Sequence, residues 1–261
     1  MKSLKGKVVI ITGASSGIGA ALAKAFSQRE ARVVLTARRL EKLKEAARNC
    51  TNETLCIQCD VTKDEDRNDL IDRTLEQWGR IDILVNNAGL GMFGVLEKID
   101  EKEIRNLFEV NILSIIFLTQ LVLPIMKRQG EGMIINIGSV AGLVAHSNNV
   151  IPYISTKHAV IGFTKGLVKD LQGTGIRVNA VCPYLTSSEF FETSVGSNEM
   201  SGMIEQLRSQ MDTPDQVAQG IIDQIFLDRV LIFPTEMSEK AYQIPRPLTP
   251  LRNKTDANQR N

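Results

Sequence analysis

Residues 7–19 read KVVIITGASSGIG, and this stretch decides the fold. Its first half is an unbroken run of β-branched residues, Val8 to Ile11, which is typical of a strand buried on both faces. Three glycines follow at once, Gly13, Gly17 and Gly19, and they let the backbone turn sharply into a helix. A helix that begins there directs free N–H groups and the positive end of its dipole at the turn. The stretch therefore predicts a strand, a phosphate-binding turn and a helix.

The rest of the chain continues this alternation of short apolar runs and longer helical segments. Strands are predicted at residues 7–11, 32–36, 54–58, 81–85, 132–137, 177–181 and 230–233. Helices are predicted at 17–29, 41–48, 64–78, 101–128, 153–171 and 214–227. Apolar strands that are each followed by a helix indicate a parallel sheet covered on both sides. We therefore expect an α/β fold, a three-layer, doubly wound Rossmann fold in a single domain over residues 1–250, with 251–261 as a flexible tail.

The composition excludes several classes of function. The net charge of the 261 residues is +1 and the aromatic content is 5%, which argues against partners such as nucleic acid or an anionic membrane. The longest apolar stretch, 112–126, is shorter than a membrane span, and the N-terminal run is too short for a signal segment. Cys56 and Cys59 form a C-x-x-C without a second ligand pair, so no metal site is predicted. These observations predict a cytoplasmic protein without a transmembrane span.

Tyr153 and Lys157 carry the chemistry of the chain. Residues four apart on a helix point to the same side, so the phenol and the ammonium group share one face. A neighbouring cation stabilises phenolate, which should make the proton of Tyr153 easier to transfer near neutral pH. Beside a dinucleotide site, such a phenol indicates redox chemistry between a carbonyl and an alcohol.

The end of the second strand indicates which dinucleotide is bound. An NAD site of this kind has an acid about twenty residues past the glycines, where it holds the ribose 2′-OH. Here the strand ends in Thr36-Ala37-Arg38-Arg39, and arginine suits the 2′-phosphate of NADP(H). The alternative is that Arg38 and Arg39 are solvated loop charges. NADP(H) is therefore the favoured cofactor, and NAD(H) stays possible.

Two further strand ends offer cofactor contacts, each with a plain structural alternative. Asp60, followed by Val61, either accepts a hydrogen bond from an adenine amino group or caps the next helix, for which Thr62 is the better N-cap. The sequence Asn86-Asn87-Ala88-Gly89 ends the fourth strand, at the edge of the sheet where ligands bind. Its asparagines can tie strand ends together while Gly89 leaves room for the cofactor, or the segment is a simple turn.

In this order, TGASSGIG, the sequence NNAG at 86–89, Asn111, Ser139 and Tyr153-x-x-x-Lys157 resemble the short-chain dehydrogenase/reductase family from about residue 7 to residue 233. The resemblance implies an oxidoreductase that acts on CH–OH or C=O groups with NAD(P). It also implies roles for the catalytic residues. Tyr153 is the general acid/base, Ser139 hydrogen-bonds the substrate oxygen, and Lys157 holds the nicotinamide ribose. Asn111 bends its helix around a water that relays protons.

The chain departs from the family pattern after the sixth strand. Pro183-Tyr184 stands where the family usually has Pro-Gly, and Ser188 replaces a threonine that usually meets the carboxamide. Together with Tyr153 and Lys157, the motifs and the resemblance predict as cofactor contacts Gly13, Ser15, Ser16, Gly17, Ile18, Gly19, Arg38, Arg39, Asp60, Val61, Asn87, Ala88, Gly89, Pro183, Thr186 and Ser188.

The segment 189–211 interrupts the alternation and contains two phenylalanines and three methionines, so we expect a lid over an apolar substrate. The function predicted is NADP(H)-dependent interconversion of a carbonyl and a secondary alcohol. The alternatives are a cofactor-binding regulatory or scaffold protein without turnover, and an NAD-dependent alcohol dehydrogenase of the same fold. Apolar outer faces on the helices at 112–126 and 153–171 predict a homodimer or homotetramer.

Overall fold

The predicted strands all take part in one parallel sheet of the computed structural model, which describes residues 3–145 and 147–243. The strand order in the sheet is β3-β2-β1-β4-β5-β6-β7. The strands are β1 Val8–Thr12, β2 Arg32–Ala37, β3 Thr54–Gln58, β4 Ile83–Asn86, β5 Gly132–Ile137, β6 Ile176–Val181 and β7 Leu231–Ile232. The sheet is flanked by helices on both sides, so the prediction of a single-domain, doubly wound Rossmann fold is confirmed.

Six of the described helices form two layers, one on each face of the sheet. The described helices are α1 Gly17–Gln28, α2 Leu40–Ala47, α3 Asp64–Trp78, α4 Glu101–Phe108, α5 Ser114–Gln129, α6 Ile151–Asp170, α7 Ser197–Leu207, α8 Pro214–Gln224 and α9 Glu236–Gln243. Helices α1, α2 and α8 bury their apolar residues against one face, and α3, α5 and α6 cover the other. The sheet is therefore the middle of three layers.

Strand β1 shows why the apolar run lacks a polar face. Val9 and Ile11 pack beneath α1 and α8, whereas Val8 and Ile10 pack beneath α3 and α5. Successive side chains of a strand point to opposite faces, so a strand covered on both sides needs apolar residues throughout. All five residues of β1 are buried.

The connection between β1 and β4 positions the functional site. The chain runs outward from β1 to β2 and β3, and then returns to place β4 on the other side of β1. Loops that leave β1 and β4 therefore diverge and open a crevice at the carboxyl edge of the sheet. Thr12 ends β1 and Asn86 ends β4, so both motif segments lie at this crevice.

Several boundaries differ from the sequence prediction. The helix predicted at 101–128 is interrupted by a π-helical turn at Glu109–Leu113. Strand β4 begins at Ile83 rather than Ile81, and β7 is shorter than predicted. The N-cap of α3 is Lys63, without a side-chain hydrogen bond, so the prediction of Thr62 as N-cap is wrong. Helix α9 follows β7 where no helix was predicted, and the predicted flexible tail at 251–261 lies outside the described residues.

The helical stretch Glu101–Gln129 is long and apolar enough to cross a membrane by length and composition alone. A core helix of a folded domain passes the same test, so this is weak evidence for a span. Here the apolar residues Leu118, Val122 and Met126 are buried against the sheet together with Ile10 and Ile134. The composition of α5 is therefore explained by its place in the core.

Candidate active site

The turn after β1 is shaped by close approach of the backbone to its neighbours. Gly13 has φ +64°, and a Cβ on it would lie 2.8 Å from the Ala88 Cα atom. A Cβ on Gly19 would lie 2.4 Å from the Gly13 carbonyl oxygen, so side chains are excluded at both positions. The N-cap of α1, Ser16, makes no side-chain cap hydrogen bond, and the first turn of the helix contains no acidic residue. The first N–H groups of α1 are thus left for an anion.

Thr12 joins this turn to the end of β4. Its hydroxyl accepts hydrogen bonds from the N–H groups of Asn87 and Ala88, each at 2.9 Å. The Asn87 side-chain amide donates back to the carbonyl oxygens of Thr12, at 2.8 Å, and Gly13, at 3.2 Å. Asparagine at this position therefore ties the two strand ends together, one of the two functions expected for this segment. Sequence reasoning missed Thr12, although it directly precedes Gly13 in the motif.

The crevice holds a cavity of about 580 Å³. Most residues predicted to contact the cofactor line it, together with the catalytic candidates Ser139, Tyr153 and Lys157. These cofactor candidates are Gly13, Ser15, Ser16, Gly17, Ile18, Arg38, Arg39, Asp60, Val61, Asn87, Ala88, Gly89, Pro183, Thr186 and Ser188. Gly19 and Asn111 lie behind the cavity wall, where the first packs within the turn and the second supports Leu90. The roles assigned to these residues remain predictions.

The two arginines after β2 are at one end of the cavity, and both are exposed. The Arg39 guanidinium donates to the hydroxyls of Ser15, at 3.1 Å, and Ser16, at 3.2 Å, on the phosphate-binding turn. The same Nη2 atom forms a 2.9 Å ion pair with Glu189 at the start of the lid segment. Sequence reasoning missed Glu189, because no local pattern connects residues that are 150 positions apart.

Asp60 lies beside the arginine end of the cavity. Its Oδ1 atom accepts hydrogen bonds from the Thr62 N–H group, at 3.1 Å, and the Thr62 hydroxyl, at 2.8 Å. Burial favours the neutral acid, but these hydrogen bonds and the charge of Arg38 outweigh it and lower the pKa of Asp60. The residue is therefore an ionised acceptor within the cavity wall, as an adenine contact requires.

Asn111 lies in the π-helical turn and is completely buried. Its Nδ2 atom donates to the Leu90 carbonyl oxygen at 2.9 Å and to the Thr156 hydroxyl at 3.1 Å. Its Oδ1 atom accepts from the Leu90 N–H group at 2.7 Å. The extra residue of the π-helical turn thus coincides with an asparagine that holds both the loop after β4 and helix α6.

Ser139, Tyr153 and Lys157 meet at the other end of the cavity. Ser139 lies just after β5, and its side chain is near enough to that of Tyr153 to lower the pKa of the phenol. The Ser139 hydroxyl also accepts from the Ala141 N–H group at 3.1 Å, which fixes its orientation. The Lys157 Nζ atom donates to the Ile137 carbonyl oxygen at 2.9 Å and lies 5.7 Å from the centroid of the Tyr153 ring. One α-helix and one strand end therefore bring the three groups together.

Burial dominates the ionisation of this cluster. It raises the pKa of Tyr153 to about 12, and the neighbouring Ser139 side chain opposes the shift. It also lowers the pKa of Lys157 to about 8. The expected lowering of the Tyr153 pKa by the neighbouring ammonium group is therefore not met in this structure, because loss of solvent favours the neutral form of both groups.

Aromatic side chains cover the catalytic end of the cavity. The Phe190 ring, from the lid segment, lies 5.8 Å from the Tyr153 ring between centroids. Phe191 packs edge-on against Phe190 at 5.6 Å and stacks with Phe93 at 6.3 Å. Tyr184, where a glycine was expected from the resemblance, also lines the cavity. The space next to the Tyr153 hydroxyl thus has an apolar wall.

Comparison with known proteins identifies the family of this fold and site. A family model described as short chain dehydrogenase matches residues 7–198. The chain belongs to the short-chain dehydrogenase family. An uncharacterized oxidoreductase of Staphylococcus saprophyticus is 37% identical over 224 residues, which cover 85% of this chain and 90% of the relative. The prediction made from the sequence motifs is therefore confirmed.

Two solved structures superpose on 93% and 87% of the chain. A family member from Burkholderia phymatum in complex with NAD is 25% identical, with a TM-score of 0.85 over 93% of each chain. A closed form of serine dehydrogenase complexed with NADP+ is 28% identical, with a TM-score of 0.80 over 87% of this chain and 93% of that one. This short-chain dehydrogenase is an oxidoreductase that acts on CH–OH or C=O groups with NAD(P).

The polar groups that line the cavity of this short-chain dehydrogenase fit a nicotinamide dinucleotide. The Thr186 hydroxyl is buried, lines the cavity and has no hydrogen-bond partner among the residues that the structure describes. Ser188 lies next to the phosphate-binding turn, since a Cβ on Gly17 would be 3.1 Å from its Cβ atom. A carboxamide can use hydroxyls of this kind, and a pyrophosphate can use the free N–H groups of α1. The donors present therefore match the chemistry of the cofactor.

Proposed function

We propose that this enzyme interconverts a carbonyl and a secondary alcohol with NADP(H), and that Tyr153 is its general acid/base. A single observation carries the proposal: one cavity has Arg38 and Arg39 at one end and Ser139, Tyr153 and Lys157 at the other. The arginines suit the 2′-phosphate of NADP(H), because a guanidinium group forms charge-assisted hydrogen bonds with phosphate oxygens. The hydroxyls of Ser139 and Tyr153 suit the oxygen atom of the substrate.

A bound nicotinamide supplies the hydride for reduction of the carbonyl carbon. Ser139 hydrogen-bonds the carbonyl oxygen and Tyr153 donates its proton to that atom. A pKa of about 12 keeps the proton on Tyr153 at neutral pH, so the phenol carries the proton that the reduction consumes. Lys157 orients the site, since its ammonium group contacts both the Ile137 carbonyl oxygen and the Tyr153 ring. General acid catalysis of this kind accelerates a reaction by about 10²–10⁴-fold.

The walls of the cavity indicate an uncharged, apolar substrate. Among the described residues that line the cavity, the charged side chains are Arg38, Arg39, Asp60 and Lys157, and each is assigned to the cofactor. The remaining wall near Tyr153 is largely aromatic and aliphatic, with residues of the lid segment 189–211 on one side. A carboxylate or phosphate on the substrate would therefore have no oppositely charged side chain beside it among the described residues. An apolar carbonyl compound would instead pack against the apolar wall.

The cofactor assignment is tested by binding measurements with NADPH and NADH. We expect calorimetry on the parent protein to show tighter binding of NADPH. Replacing Ala37 with Asp and Arg38 with Ala removes a phosphate contact, so NADPH should bind about ten- to hundredfold more weakly while NADH improves. Arg48→Ala is the matched control, because Arg48 is an exposed arginine at the end of α2, outside the cavity lining. Equal affinity of the parent protein for the two cofactors would overturn the assignment.

We further propose a cytoplasmic homodimer or homotetramer. The exposed side of α5 presents Phe117, which is 37% exposed and has its ring centroid 4.9 Å from the Arg67 guanidinium carbon. An apolar helix face of this kind supports a two-fold contact between identical surfaces. A monomer mass by light scattering at micromolar concentration would contradict the oligomer.

All four cysteines are free thiols in the structure, which supports a reducing compartment.

A further inference from the structure

The carboxylate of Glu189 occupies a cation site that the proposed cofactor would also use. One carboxylate oxygen pairs with the Arg39 guanidinium at 2.9 Å, and the other pairs with the Lys42 ammonium group. Arg39 simultaneously contacts the Ser15 and Ser16 hydroxyls on the phosphate-binding turn. An anion of the protein itself therefore lies between the turn and helix α2, at the end of the cavity where a 2′-phosphate is expected.

The contacts of Glu189 do not resemble those of a structural ion pair. Its side chain is 35% exposed, and the side chains of Arg39 and Lys42 are 44% and 41% exposed. An exposed pair contributes little to the stability of a fold, so solvent or another anion can replace it at small cost. Lys42 and Arg39 hold the pKa of Glu189 below its usual range, and the carboxylate therefore stays charged at neutral pH. Stability of the fold does not explain an acid at this position.

The position of Glu189 in the chain links the two ends of the cavity. Ser188 precedes it and approaches Gly17 of the turn, and Phe190 follows it and packs on the Tyr153 ring. The carbonyl oxygen of Glu189 also accepts from the Thr193 N–H group at 3.0 Å, which closes a compact turn at the start of the lid segment. A change at the Glu189 carboxylate would thus act on a segment that reaches both the phosphate-binding turn and the ring of Tyr153.

We propose that Glu189 is a specificity-determining residue that competes with the 2′-phosphate of NADP(H) for Arg39 and Lys42. NADPH must displace the carboxylate, whereas NADH, which has a 2′-hydroxyl group, leaves the ion pairs in place. Glu189 therefore weakens NADPH binding and reduces the preference for NADPH over NADH that the arginines create. Once released, Lys42 becomes a further cation for the phosphate, although it was not among the residues predicted from the sequence. This inference rests on the proposed use of a nicotinamide cofactor in this cavity.

The test compares the parent protein with Glu189→Gln by calorimetry, using NADPH, NADH, 2′,5′-ADP and 5′-AMP as probes. Two exposed ion pairs are lost in the variant, so NADPH and 2′,5′-ADP should bind about three- to tenfold more tightly. The affinities for NADH and 5′-AMP should change by less than about twofold, because neither probe has a 2′-phosphate. Glu192→Gln is the matched control, since Glu192 is an exposed acid of the same segment with a 3.7 Å pair to Arg208.

An unchanged or weaker affinity for NADPH in Glu189→Gln would overturn the proposal, and so would equal tightening of all four probes. Weaker binding of NADH alone would show instead that Glu189 holds the ribose 2′-hydroxyl. The outcome is separate from the test of cofactor preference in the parent protein. The parent can bind NADPH and NADH equally and still show selective tightening of NADPH when the carboxylate is removed.

Discussion

Two buried charges lie at opposite edges of the sheet, and their surroundings differ. At the amino edge, Asp82 directly precedes β4 and its side chain is completely buried. At the carboxyl edge, Lys157 on α6 is 5% exposed and reaches the end of β5. Both groups have lost nearly all contact with water, so each needs compensation from the protein. Only Asp82 receives it in full.

The amino-edge charge is surrounded by donors and cations. The Asp82 carboxylate accepts from the Val8 N–H group at 2.9 Å, and from the Arg80 guanidinium at 2.8 and 2.6 Å. Lys7 adds a second cation at 3.4 Å and also pairs with Glu131. Burial opposes ionisation, but these contacts outweigh it and lower the pKa of Asp82. The charged form is therefore the stable form, and it ties β1 to β4.

The carboxyl-edge charge has no such set of partners among the described residues. Lys157 donates to one backbone carbonyl, of Ile137, and faces the ring of Tyr153. Burial consequently lowers the pKa of Lys157 to about 8 and raises that of Tyr153 to about 12. The sheet thus surrounds a buried charge with hydrogen bonds and counter-charges at Asp82, where the charge only holds strands together, and supplies few of them at Lys157, beside the group proposed to transfer a proton.

The largest predicted effect is the loss of activity when Tyr153 at the carboxyl edge is replaced. In Tyr153→Phe the proton is lost and the ring stays, so kcat should fall by about 10²–10⁴-fold while the fold persists. Single-turnover oxidation of NADPH with an accepted carbonyl compound measures the rate. Tyr242→Phe is the control, because Tyr242 is 42% exposed and stacks on Phe233, away from the cavity. Oxidation of NADPH by Tyr153→Phe at the parental rate would mean that the proton comes from another group.

The second predicted effect is the loss of folding free energy caused by burying the Lys157 ammonium group. Its pKa falls from 10.5 to about 8 on folding, so the unfolded state binds more protons between these values. The free energy of unfolding should therefore rise with pH from 8 to 10.5, by about 3 kcal/mol for this group. Lys157→Met removes the cost, and the variant should be more stable than the parent below pH 8.

Urea denaturation as a function of pH measures this difference, because urea, unlike a guanidinium salt, does not screen charges. Lys169→Met serves as control, since Lys169 is exposed on the same helix and its removal should leave the pH dependence of stability unchanged. If the free energy of unfolding changes equally with pH in Lys157→Met and the parent between pH 8 and 10.5, burial of Lys157 does not lower its pKa in the folded protein.

Much of the carboxyl edge could be predicted from sequence because its signals are local. The run Val8–Ile11 followed by glycines indicates a strand and a turn, because both signals lie within one short stretch of the sequence. The spacing of Tyr153 and Lys157 places them on one helix face for the same reason. The predicted bounds of β3, α3 and β5 agree with the structure.

Contacts between distant segments could not be predicted in this way. The ion pair of Glu189 with Arg39 spans 150 residues, and that of Lys7 with Glu131 spans 124. The ionisation of Tyr153 follows from burial, which depends on how α6 packs rather than on the residue four positions away. The π-helical turn at Asn111 likewise depends on hydrogen bonds to Leu90. The sequence therefore predicted which residues form the site, but not the long-range contacts and the burial that set their ionisation.

The smallest effect concerns Asp82. Its pKa is lowered on folding, so the stability it contributes is present above its ordinary pKa of 3.8 and is lost as the pH falls through the folded value. Asp82→Asn keeps the shape and loses the charge. Because Arg80 is 41% exposed, solvent screens the pair, and we expect a loss of only about 1–2 kcal/mol at neutral pH.

Urea denaturation of Asp82→Asn and the parent at neutral and acidic pH tests this expectation. The difference in stability between them should shrink as the parental carboxylate becomes protonated, while kcat at neutral pH stays at the parental value, because the amino edge is remote from the cavity. Asp223→Asn is the control, since Asp223 is 57% exposed and its pair with Arg29 spans 3.8 Å, so its loss should have almost no effect. A difference that stays constant on acidification would assign the effect to hydrogen-bond geometry rather than to charge, and the contrast between the two edges would then not be one of electrostatics.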